Sequence, residues 1–271
     1  MVRSLWTAAT GMRAQQTNVD TIANNLSNVN TTGYKTEVNG FKSLLYQTLQ
    51  TKTTTANGDP KPVGCQVGLG VRNGSITSVF TDGPLLASQS DSAFALSGNG
   101  FFAVKGEDGN TYYTRNGDFS WALNNNGGVM LATSDGNPVL DATGKEISFG
   151  PQYVSSKIIV TSDGTFCYPD ENNNPKDLGV TFGIFQFSNP AGLEKNDAGL
   201  FSQSAASGQP LNEATNTALN KTKVTQGYLE GSNVQVVDEM VNLITAQRAY
   251  ELNSKAITAS DDMLQQANQL R

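Results

Sequence analysis

Two pairs of neighbouring carboxylates, Glu107/Asp108 and Asp170/Glu171, are by type the residues in this chain best suited to general acid and base work. A glycosidase needs such groups opposed across a cleft, roughly 5 to 10 Å apart. Both pairs lie in turn-like stretches, and no spacing in the sequence sets one against the other. The 271-residue chain contains no histidine, which excludes a Ser-His-Asp or Cys-His nucleophile and any His-bearing zinc site. Cys65 and Cys167 are far apart in irregular contexts, giving neither a disulfide framework nor a metal spacing, so free thiols are expected. Asp-Gly-Asn occurs at Asp108 and Asp135 without the alternating oxygen ligands and closing Glu of a calcium loop; turn chemistry accounts for both. No helical pattern follows Gly98-Asn99-Gly100, so it does not read as a phosphate-binding loop. The middle aromatics, among them Tyr112, Trp121 and Phe185, read as core. The expectation is a protein with no catalytic, cofactor-binding or metal-binding residues.

Composition narrows the classes further. Net charge is -6, so no basic face is available to neutralise phosphates, and nucleic-acid binding is not expected. No run approaches the ~18 to 20 apolar residues that a membrane span needs. The first ten residues carry one positive charge but no apolar core, unlike a Sec signal, and export, if it occurs, would use another route. Only 15% of residues are charged, and Asn, Gln, Ser, Thr and Gly dominate the remainder, a composition that builds turns and hydrogen bonds.

The elements at the two chain ends have helical periods. Leu5, Met12, Val19 and Leu26 recur every seven residues, with Ala8, Gln15, Ile22 and Val29 three positions later. This predicts a helix over about the first 30 residues with an a/d seam, stopped near Gly33. Near the other end, Leu243, Tyr250, Ile257 and Leu264 also repeat every seven, with Ala249, Ala256, Met263 and Leu270 expected on the same side. Ser232 and Gln235 fit a capping box, with Asn233 as a competing N-cap, and Asp238 and Glu239 suit the positive end of the helix dipole. The faces beside the seams are rich in Asn, Gln and Thr rather than the Glu/Lys pairs of a solitary surface helix. Such faces suit helices surrounded by protein, and helices of this kind are marginal alone in water. Packing against copies of the same chain would cover them; an ordinary antiparallel helix pair is the plainer alternative.

Between the helices the pattern becomes that of short strands. Phe101–Lys105, Thr111–Thr114, residues 158–160 and residues 180–187 are the clearest. Asp-Gly or Asn-Gly steps, including Asn73-Gly74, Asp108-Gly109, Asp135-Gly136 and Asp163-Gly164, predict tight turns. Residues 50–62 are polar and aperiodic, a long loop or extended arm. The predicted fold is α+β: N- and C-terminal helices pair as a coiled-coil-like domain, with an all-β domain inserted between them. The expected divisions are 1–45 for the first helix and its motif, 46–71 for the arm, 72–226 for the β domain and 227–271 for the second helix.

Residues 23–35, Ala-Asn-Asn-Leu-Ser-Asn-Val-Asn-Thr-Thr-Gly-Tyr-Lys, resemble the N-terminal signature of flagellar basal-body rod and hook proteins. Asn24, Asn25, Asn28, Asn30, Thr31, Gly33 and Tyr34 carry the likeness. Residues 227–244 resemble the family's C-terminal signature, including Gly231, Ser232 and Asn233, and residues 246–257 are most similar to its distal rod members. Those members also have an arm after the first helix, which the family links to a straight, stiff shaft. The resemblance implies a structural subunit that polymerises into a tubular, torque-transmitting shaft around an export channel. It implies a homopolymer touching proximal rod and hook proteins axially, and bushing rings where an outer membrane is present. Export would run unfolded through the flagellar type III apparatus without a cleaved Sec signal, to the basal body outside the cytoplasmic membrane. The helices would gain order on assembly. A proximal rod or hook subunit is the near alternative, a β-rich surface adhesin or binding module the more distant one, and a carboxylate enzyme comes last.

Overall fold

The computed structural model describes residues 2–50, 64–124, 127–170, 174–216 and 218–269. Two long helices flank a strand-rich middle, which is the α+β arrangement expected. The chain forms two compact units: Met1–Ser27 with Glu37–Thr77 and Gln235–Arg271, and Asn28–Thr36 with Ser78–Val234.

The helical unit contains α1 (Val2–Ser27) and α2 (Val236–Gln269), with strands β1 (Glu37–Ser43), β2 (Tyr46–Gln50), β3 (Cys65–Gly68) and β4 (Val71–Ser78). β1 pairs with β4, and β2 runs antiparallel to β3. The arm expected over 46–71 therefore has a two-stranded base, while its centre, 51–63, lies outside the described residues. The Asn73-Gly74 step, expected as a tight turn, lies inside β4. Residues 72–77, expected in the β domain, belong to the helical unit, and 28–36 and 227–234 belong to the β unit.

Both helices are shorter at their inner ends than expected from the period of the first and the capping signal of the second. α1 stops at Ser27, and residues 28–30 turn, with Thr31 N–H donating to Asn28 O (3.2 Å). Asn favours such turns because its side chain competes for backbone partners. Val29, expected as a seam position, thus lies beyond the helix. The capping box does not form: Ser232 Oγ accepts from Val234 N–H, and α2 opens with Glu239 N–H donating to Gln235 O, which makes Gln235 the N-cap.

In the β unit the strand Phe101–Lys105 lies inside a six-stranded sheet, flanked by Thr111–Thr114 and Ile184–Gln186. The sheet is covered on both faces. Phe102 and Val104 enter one apolar cluster and Phe101 and Ala103 the other, which is why this strand reads as a continuous apolar run rather than an alternating one. The segment 180–187, expected as one strand, is two. Thr181 pairs with Thr165 and Ile184 with Phe102, and the chain changes sheets at Phe182-Gly183. A Cβ on Gly183 would come within 2.8 Å of the Leu140 and Asp141 carbonyls. The Asp108-Gly109, Asp135-Gly136 and Asp163-Gly164 steps do form tight turns, each glycine with positive φ.

Phe102 and Phe182 (ring centroids 5.2 Å apart) sit at the centre of the larger cluster with Phe94, Phe119 and Phe166. Phe102→Ala should destabilise the β unit by about 3 to 5 kcal/mol. Urea unfolding followed by tryptophan fluorescence measures this, and a loss under about 1 kcal/mol would show that the ring is not central to the core.

Candidate functional site

The helical unit holds most of the residues expected to act in assembly. α1 and α2 are antiparallel: Ser4 Oγ lies 3.2 Å from Ser260 Oγ at one end, and Asn25 Nδ2 donates to Glu239 Oε2 (3.3 Å) at the other. Between them Asn253 covers Gly11, where a Cβ would meet its side-chain nitrogen at 2.9 Å. Steps of seven and fourteen along α1, from Ser4 to Gly11 to Asn25, are answered by equal steps back along α2, from Ser260 to Asn253 to Glu239. The same register places Asn18 level with buried Ala246. The contact line inside the pair is therefore small and polar.

The apolar series flank this line. Ile22 is buried, with Ala8, whereas Leu5, Met12, Val19, Leu26, Leu243, Ile257 and Leu264 are half-buried and Tyr250 is exposed. On α2 the residues accompanying Leu243, Ile257 and Leu264 toward α1 are Glu239, Ala246, Asn253 and Ser260, not Ala249, Ala256 and Met263, of which Ala256 and Met263 are exposed. Leu270 lies outside the described residues. The dipole role expected for Glu239 is joined by another, because this carboxylate is buried against Asn25. Val237, Met240, Val241 and Ile244 are all exposed, and at 3.6 residues per turn they share the side of α2 opposite Glu239 and Ala246. α2 is thus apolar on two faces, one of which meets nothing in its own unit.

The signature residues divide between the two units. In the helical unit Asn25 is buried, donating to Glu37 O (2.8 Å) and accepting from Glu37 N–H (2.9 Å), so its amide holds the start of β1 as a neighbouring strand would. Asn24 is exposed. In the β unit Asn28 Oδ1 accepts from Thr31 Oγ1, Tyr34 is half-buried and Asn30 is exposed. Gly33 takes φ +71°, and a Cβ there would meet Asn116 N at 2.6 Å; its N–H donates to Glu230 O. It serves a close crossing rather than the end of α1. Gly231 N–H donates to Pro84 O, Ser232 is buried, and Asn233 Oδ1 accepts from both Thr36 N–H and Thr36 Oγ1 while its Nδ2 reaches Val79 O.

Beside this crossing lies a buried ion cluster that sequence reasoning missed. Lys35 Nζ donates to Glu230 Oε1 and to Thr81 O (2.7 Å). Arg115 Nη1 stands 3.5 Å from Glu230 Oε2, its Nη2 bonds Asp82 Oδ1 (3.2 Å), and its guanidinium lies over the Phe101 ring. Lys35, Arg115 and Glu230 are each almost fully buried. Burial holds the Lys35 ammonium below its usual pKa, and attraction to Glu230 opposes that shift. One carboxylate thus answers two buried cations. Glu230→Gln should cost the β unit about 3 to 5 kcal/mol by leaving Lys35 with no carboxylate and Arg115 with only the half-exposed Asp82, and Lys35→Met should cost less because Glu230 keeps Arg115. Urea midpoints of the two variants give the order, and the reverse order would refute this account.

Among the described residues no group of three or more His, Cys, Asp or Glu could hold a metal ion, and both cysteines are free. Residues 5–35 match the family described as Flagella basal body rod protein, residues 95–168 the Flagellar hook protein FlgE/F/G D1 domain, and residues 225–270 the Flagellar basal body rod FlgEFG protein C-terminal family. The chain is 42% identical to the flagellar basal-body rod protein FlgG of Borreliella burgdorferi, over 100% of this chain and 99% of that protein. It is 34% identical to the FlgG of Bacillus subtilis over the whole of both, and 32% identical to that organism's flagellar hook-basal body complex protein FlhP, again over the whole of both. Both motif-bearing ends and the β unit between them are thus shared at full length, and the chain belongs to the FlgG family of flagellar basal-body rod proteins.

Proposed function

We propose that this rod-family subunit is the repeating unit of the distal rod, a homopolymeric tube that carries torque to the hook and encloses an export channel. The family is structural rather than enzymatic. The observation carrying the polymer reading is the amount of apolar surface the helical unit leaves open. Trp6 is 68% exposed, Val237 73% and Leu252 66%, and Leu45, Tyr46 and Leu49 around β2 are also exposed. Large apolar side chains left open on both helices and around β2 mark interaction surface. The contact line between α1 and α2, made of Ser, Gly, Asn, Ala and Glu, buries little aliphatic area, so the pair gains its full burial from neighbours.

On this reading Leu5, Met12, Val19, Ile22, Leu26, Leu243, Tyr250, Ile257 and Leu264 pack in the tube's inner layer, and the arm rising from β2 and β3 touches adjacent subunits. Val29, in the turn that follows α1, packs at the edge of that layer. The axial partners are proximal rod and hook proteins, with bushing rings where an outer membrane exists. Passage is by the flagellar type III apparatus to the basal body beyond the cytoplasmic membrane. No helix among the described residues is long and apolar enough to cross a membrane. Helices that order only on assembly delay polymerisation until the subunit reaches the growing tip.

Leu26→Asp or Ile257→Asp should abolish rod assembly while leaving the β unit folded. Electron microscopy of basal bodies, with circular dichroism of the purified variants, tests both halves. Rods of normal length from either variant would refute the packed-helix layer.

A further inference from the structure

The outer apolar stripe of α2 and a groove beside α1 fit each other in chemistry but cannot meet within one chain. The stripe, Val237, Met240, Val241 and Ile244, lies on the side of α2 turned away from α1. The groove, about 310 Å³, is lined by Thr10, Arg13 and Ala14 of α1 with Leu44, Val71 and Arg72. Its rim is cationic and no carboxylate lines it. α2 has the opposite character, with Asp238, Glu239, Glu251, Asp261 and Asp262 against only Arg248 and Lys255. Asp238 stands in the first turn, beside the stripe, and no cation accompanies it before Arg248.

We infer that the outer stripe of α2 in one copy docks in the Arg13/Arg72 groove of a second copy. The inference rests on the polymer reading above and adds to it which faces meet. Two outer stripes facing each other would bring two acidic helices together, a like-charge arrangement that the stripe-to-groove contact avoids. Because the two faces differ, the contact is heterologous: each copy offers a stripe to one neighbour and a groove to another, and growth continues instead of closing as a dimer.

The test uses the full chain. Asp238→Arg and Arg72→Asp should each slow polymer growth by about ten-fold or more, and one chain carrying both changes should recover most of that loss. In a Cys65→Ser background, Val241→Cys chains and chains with Asn73→Cys, a position that also lines the groove, should form an intermolecular disulfide when mixed and oxidised during growth, and neither should do so alone. Self-cross-linking of the Val241→Cys chain would overturn the inference in favour of stripe-to-stripe pairing. Normal polymers with no mixed cross-link and no charge-swap recovery would overturn it while leaving the polymer reading intact. A wild-type chain that never polymerises would overturn both.

Discussion

The β unit depends on a single buried carboxylate. Glu230 meets Lys35 and Arg115 in a site from which water is almost excluded, and its own carbonyl holds Gly33. Those residues come from three separate passages of the chain, so the cluster fixes where residues 28–36 cross the body of the unit. An isolated pair of opposite charges in such a place gains little net stability, because desolvation offsets attraction. What it supplies is discrimination: any crossing that moves Lys35 away leaves buried charge uncompensated. Asp82 extends the same logic to the next passage, accepting from Arg115 and from Gly98 N–H.

The helical unit is held on a different principle. Ser4 against Ser260, Gly11 under Asn253 and Asn25 against Glu239 give a narrow line that specifies register through shape and hydrogen bonds. Leu at those positions would bury more area but would force the axes apart. Gly11 illustrates the exchange, since a mid-helix glycine costs roughly 1 kcal/mol relative to Ala, yet a Cβ there would push the Asn253 side chain out of its place over α1. A pair specified this way can be precise in register and still modest in strength alone.

The same chemistry explains how far the sequence could be read. Heptads of Leu, Met, Val and Ile announced two helices and their approximate ends, because apolar periodicity is visible without a partner. The contact line between the helices was not, since Ser4, Gly11, Asn25 and Glu239 carry no hydrophobic signal. Val29 continued the period numerically, but Asn28 and Asn30 around it favour a turn, and local turn chemistry prevailed. Residues 180–187 looked like one strand because Val180, Phe182, Ile184, Phe185 and Phe187 run on as an apolar stretch across the sheet change. The signature residues were recognisable as a family pattern. Their physical role was not, since Lys35 and Glu230 are separated by 195 positions and only the fold sets them together.

α2 is where the two principles meet. Its inner face is matched to one partner by shape and polar contacts, whereas its outer face is aliphatic and matched to nothing in its own unit. An aliphatic helix face reads as a buried one, and one copy of this chain covers only the inner face. The second must come from outside, and an acidic helix is poorly served by another acidic helix. If the cover is the cationic groove of another copy, the contact is necessarily asymmetric. An asymmetric contact between identical chains has no built-in end. Open-ended growth of the rod would then follow from the distribution of charge between α1 and α2 as much as from the apolar seams themselves.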